Sequence, residues 1–113
     1  MEPNLSVPVR SIVRMLVARD YAGIERATDG RRLTAEQVAN AVTEYGRTLV
    51  MPPERTFQSL DAVAVTGPGP RRWSVRFDLW TAQEGRSDLT LELTIVERGD
   101  GGVFVEVDDL HVL

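Results

Sequence analysis

From residue 73 onward the chain alternates. Trp73, Val75, Phe77 and Leu79 are interleaved with Ser74, Arg76, Asp78 and Trp80, and Leu89, Leu91, Leu93 and Ile95 with Thr90, Glu92, Thr94 and Val96. Successive side chains of an extended strand point to opposite faces. A period of two therefore predicts antiparallel strands with one buried face and one mixed face. Val103, Val105 and Val107 resume the pattern after the turn Gly99-Asp100-Gly101-Gly102. Leu110 and Val112 then fall on the opposite parity, and a bulge at Asp108-Asp109 returns them to the core side. A shorter strand from Asp61 to Thr66 precedes the turn Gly67-Pro68-Gly69-Pro70.

Before residue 60 the apolar period is helical. Val9, Ile12, Val13, Leu16 and Val17 share one face of a first helix, with Ser6 as its cap and Pro8 tolerated in the first turn. Asp20 caps a second helix carrying Tyr21, Ile24 and Ala27, which Asp29-Gly30 stops. Thr34-Ala35-Glu36-Gln37 has the spacing of a capping box; behind it Val38, Val42, Tyr45 and Leu49 form one stripe, ended by Pro52-Pro53. The expectation is a single α+β domain over residues 1–113. Its helical part, about 6–50, places three helices on one face of a four-stranded antiparallel meander over about 61–113. Trp73 and Phe77 belong to the layer between, where each burial contributes roughly 1.5–3 kcal/mol.

Composition narrows function by exclusion. Cysteine is absent, so disulfides and thiolate chemistry are ruled out. All 13 basic residues are arginine. That removes lysine Schiff-base catalysis and the lysine phosphate ligand, and reads as GC-rich coding bias. With a net charge of −4 and only Arg31-Arg32 and Arg71-Arg72 as adjacent basic pairs, nucleic acid is not an expected partner. No apolar run is long enough to cross a bilayer, and the N-terminus lacks the basic start and apolar stretch of a secretory signal. A cytoplasmic setting with no membrane partner is the expectation.

Tyr45-Gly46-Arg47-Thr48-Leu49, the segments from Trp73 to Thr81 and from Glu84 to Leu93, and the ending Asp108-Asp109-Leu110-His111-Val112-Leu113 resemble a small bacterial domain family of unknown function across nearly the whole chain. By order of elements alone the chain is also similar to the cystatin-like and NTF2-like architectures, in which a curved sheet wraps a helix. Enzymes of the NTF2-like kind line the space between sheet and helices with paired acids, histidine or tyrosine. The inner face expected here is uniformly apolar, so that resemblance carries over no functional residue, and fold analogy supplies no function.

The outer sheet face is the most informative surface. Hairpin pairing sets Arg76 opposite Glu92, and Glu92 opposite Asp108, with Asp78 and Glu106 flanking the row. Such a row is either an acidic patch for a basic partner or cation, or a solvated face tied by a cross-strand ion pair. Trp80 falls on this face with Val96 and Phe104, as an interface anchor or beneath a covering loop from Glu54 to Leu60. Asp108, Asp109 and His111 offer metal donors, yet adjacent acids diverge on a strand and no second histidine exists, so no metal and no cofactor are expected. His111 is the one imidazole of the chain but has no marked nucleophile beside it, and no catalytic residue is assigned.

These readings converge on a non-enzymatic interaction module that contacts a protein partner, or a second copy as a homodimer, through Arg76, Asp78, Trp80, Glu92, Phe104, Glu106 and Asp108. A small bacterial immunity or regulatory protein works in this way. The alternatives are a ligand or enzyme pocket between sheet and helices, with Tyr21, Tyr45 and Glu44 as its polar members, and an accessory domain of a larger assembly.

Overall fold

Helices α1 (Ser6–Val17), α2 (Tyr21–Ala27) and α3 (Ala35–Tyr45) lead the chain in a computed structural model that describes residues 3–112. α1 buries Val9, Ile12, Val13 and Leu16, the face its periodicity predicts. Its cap differs from expectation. Leu5 takes the capping position, while Ser6 lies inside the first turn and donates its N–H and hydroxyl to Asn4 Oδ1 at 3.1 and 2.6 Å. Asp20 caps α2 by accepting from the Gly23 N–H at 3.0 Å. The capping box of α3 forms both ways, Thr34 Oγ1 accepting from the Gln37 N–H at 3.2 Å and Gln37 Oε1 from the Thr34 N–H at 2.8 Å.

The third helix stops earlier than its apolar stripe suggests. Gly46 adopts a left-handed backbone with φ of 74°, open to glycine at little cost, and the chain leaves the helix there. Leu49–Val50 is a short strand, β1, paired with Thr81 and Trp80. Leu49 is buried all the same. Its apolarity marks the core, but its element is strand. Beyond the prolines Glu54–Gln58 forms a fourth helix, α4, where a loop was expected.

The strands β2 (Asp61–Val65), β3 (Arg72–Thr81), β4 (Gly85–Glu97) and β5 (Val103–Val112) complete an open antiparallel sheet. Among the described residues it has five strands instead of the expected four: β3, β4 and β5 run side by side, and β1 and β2 both pair with the free edge of β3. The buried layer joins Trp73, Val75, Phe77 and Leu79 of β3 to Leu89, Leu91, Leu93 and Ile95 of β4 and to the apolar helix faces. Among the described residues, no helix is long and apolar enough to cross a membrane.

Two irregularities shape the outer face. Between the pairs Trp80–Arg86 and Asp78–Thr90, β4 advances four residues while β3 advances two. Ser87 fills the resulting gap, its hydroxyl donating to the Leu79 carbonyl at 2.7 Å and accepting from the Leu89 N–H at 3.2 Å. The second is the bulge at Asp108, where the register shifts between Glu92 and Leu93. It returns Leu110 to the core, as its parity required; Val112, expected to follow, is 56% exposed at the strand end.

The three polar residues considered for an interior pocket go separate ways. Tyr21 lines a surface groove beside Arg19 and Arg47, and Glu44 is exposed. Tyr45 donates to Glu84 Oε2 at 2.7 Å. Burial first, and the Glu84 bond second, push its phenol above the ordinary value.

Candidate functional site on the outer sheet face

The row expected across the outer face resolves into three groups. Arg76 opposes Glu92, as hairpin pairing requires, but Glu92 opposes Asp109 and not Asp108. The bulge is the cause: Asp108 is the extra residue, and Asp109 takes the paired position.

In the first group, Phe104, Glu106 and Asp108 are covered by the α2–α3 connection. Arg32 Nε lies 3.2 Å from Asp108 Oδ1 and 3.7 Å from Glu106 Oε1, while Arg31 Nη1 lies 3.7 Å from Glu106 Oε2. The Arg31 guanidinium also sits 4.8 Å from the Phe104 ring centre. Left-handed backbone at Asp29, Gly30 and Arg32 turns the connection onto the β5 edge. Asp108 additionally accepts from the Thr94 hydroxyl at 2.5 Å. This acidic corner is therefore internally neutralised, by exposed arginines whose pairs contribute under ~1 kcal/mol each.

The second group is Glu92, Asp109 and His111, whose ligand-type atoms all lie within 4.8 Å of one another. His111 Nε2 is hydrogen-bonded to Glu92 Oε2, and Asp109 Oδ2 stands 4.0 Å from the same nitrogen. The other Glu92 oxygen is 4.0 Å from Arg76 Nε. Below them Thr90, paired with both Asp78 and His111, is fully buried and donates to Asp78 Oδ1 at 3.0 Å.

The third group is a groove of about 500 Å³ between α4 and β3, lined by Arg55, Asp61, Arg76, Asp78, Trp80 and Arg86 among others. Trp80 is half-buried, neither free nor sealed, and the Arg55 guanidinium lies 5.9 Å from its ring centre. Arg86 Nε and Asp78 Oδ2 are 3.9 Å apart, too far for a hydrogen bond. The groove wall is fixed from behind. Phe57 of α4 is buried and stacks on Phe77 at 5.1 Å, and Arg10 of α1 lies 4.4 Å over the Phe57 ring.

A family model for a domain of unknown function, DUF7668, matches residues 13–113. The chain belongs to this family. The DUF7668 match begins within α1 and takes in every strand of the sheet, so all three groups lie inside it, whereas Arg10 precedes it. No curated protein and no solved structure matches the chain.

Within the DUF7668 domain, the sequence reading brought Arg76, Asp78, Trp80 and Glu92 to one surface and missed their neighbours. Arg86 lies where β4 is irregular, and Arg55 sits on the short helix α4, within the 54–60 stretch expected only as a cover over Trp80, so neither left a periodic signal of its own. Asp109 was recoverable: a bulge that restores Leu110 to the core must also place Asp109 outward. The expected divergence of Asp108 and Asp109 is corrected for that reason, since Asp108 bonds Thr94 and Asp109 approaches His111, both on the outer face.

Proposed function

We propose that this DUF7668 chain is a non-enzymatic, cytoplasmic interaction module that holds a protein partner through its outer sheet face, with the Trp80 groove at the centre of contact. The observation that carries this reading is the Arg55–Trp80 pair. Trp80 keeps aromatic surface half-exposed where alternation calls for a polar side chain. Over it stands a guanidinium that makes no ion pair among the described residues. Tryptophan and arginine are favoured interface anchors, the ring offering large area at small entropic cost and the guanidinium a fork for a carboxylate. Arg76 and Arg86 border the same groove at 4.0 and 3.9 Å from their carboxylates, loosely enough held to turn toward an incoming anion. The partner accordingly presents a carboxylate beside an apolar side chain. A net charge of −4 supports a protein over a phosphate backbone as that partner.

The test is capture from the host cell with the untagged chain, using Trp80→Glu and Arg55→Glu as disabled forms and Glu36→Arg on exposed α3 as control. A partner lost with both groove variants, kept with the control and then bound as purified protein supports the reading. Recovery of the same proteins by all forms, with an unchanged monomeric mass in solution, overturns it.

A further inference from the structure

Glu92, Asp109 and His111 have a chemistry that the protein-binding reading does not use. We propose that they form a binding site for a divalent first-row transition metal ion such as zinc. The bulge at Asp108 creates it. Phe104, Glu106 and Asp108 point outward before the bulge; the one-residue slip then turns Asp109 and His111 outward and Leu110 inward. Without the slip, Asp109 and His111 share the core parity and never meet Glu92. With it, Asp109 pairs directly with Glu92, and His111 stands two residues further along β5 on the same face.

The backbone positions of the three ligands are set by one sheet ladder, so the site is largely built before any ion arrives. Its donors are one imidazole nitrogen and two carboxylate oxygens, all within 4.8 Å of one another. Zinc bonds of about 2.0–2.2 Å place tetrahedral ligand atoms roughly 3.3–3.5 Å apart. Small side-chain rotations reach that spacing, the hydrogen-bonded Nε2 and Oε2 moving apart and Asp109, whose side chain is 56% exposed, moving in. The His111–Glu92 hydrogen bond already aims Nε2 and Oε2 at each other. Arg76 stands 4.0 Å from Oε1, so Oε2 has only His111, itself a proposed ligand, beside it. An imidazole in the set favours zinc, nickel or copper over calcium and magnesium, which prefer oxygen ligands alone. Three protein ligands leave a position for water, giving an exchangeable site.

The chain has a single histidine, so its imidazole resonances report on this site without ambiguity. Untagged full-length protein stripped with chelator is titrated with zinc chloride, followed by calorimetry and by histidine NMR signals, with calcium chloride as comparison. Expected are saturable one-to-one zinc binding that moves the imidazole signals, no such shift with calcium, and more than about tenfold weaker binding in His111→Gln, Glu92→Gln and Asp109→Asn. Loss of a mere supporting partner commonly costs that much. Circular dichroism verifies that each variant is folded, and exposed Asp109→Asn is the least intrusive. Absence of saturable zinc binding, zinc binding indifferent to His111→Gln, or an equal response to calcium each overturns the assignment.

Discussion

Arg10 donates both terminal N–H groups to the two carboxylate oxygens of Glu54 at 2.6 Å, joining α1 to α4 across 44 positions of chain. The same guanidinium stacks on Phe57, so one side chain secures both the polar and the aromatic side of the short helix that walls the Trp80 groove. Hydrogen bonds from Arg10 hold the Glu54 carboxyl below the usual carboxylate range. A carboxyl depressed in the folded state stabilises above its unfolded value and loses that contribution as pH falls through the folded one. Glu54→Gln is expected to lower the melting temperature at pH 7, with the difference from wild type shrinking from about pH 5 downward. Thermal melts across that range test it; a difference independent of pH contradicts the pairing.

Phe57 is the apolar root of α4, 2% exposed and stacked on Phe77. Phe57→Ala is expected to cost about 3–5 kcal/mol, the usual range for removing a buried ring. Because α4 then loses its anchor, Trp80 emission, read in a Trp73→Phe background, should shift to the red. Urea unfolding and fluorescence read the two effects, and loss of stability with Trp80 undisturbed separates the helix from the groove.

Ser87 is 6% exposed and serves two backbone groups at the β4 irregularity. Ser87→Ala leaves the Leu79 carbonyl and the Leu89 N–H without it, for an expected loss of about 1–3 kcal/mol. Ser87→Thr, keeping the hydroxyl, should recover part of that in the same urea titration.

Gly46 ends α3 with φ of 74°. Gly46→Ala is expected to cost about 1–2 kcal/mol, because a Cβ crowds the following carbonyl in left-handed backbone. An unchanged unfolding midpoint would show that α3 can continue past residue 46.

Much of this architecture was legible in the chain because alternation and capping are local. Thr34 with Gln37, Asp20, and the inward residues of β3 and β4 needed only their neighbours to be placed correctly. Leu49 shows the limit. A helical stripe and a two-residue strand both bury an apolar side chain at that position, and the choice fell to Gly46 and to the free edge of β3. The outer face was legible by strand but not by neighbour. Arg76 was set opposite Glu92 correctly, while Asp108 displaced Asp109 because a bulge moves a register by one residue. Arg31 and Arg32 were read only as a basic pair, and nothing local told that they fold over Glu106 and Asp108.

Period and composition by themselves determined an antiparallel sheet backed by helices, an apolar interior, and the absence of thiol and lysine chemistry, since each follows from side-chain parity or residue type. Tertiary structure alone decided that Arg55 is the side chain set over Trp80, that Arg10 clasps Glu54, and that Arg32 reaches Asp108. Those contacts depend on where distant segments dock, and a partner on another docked element leaves no trace in a side chain's own periodicity.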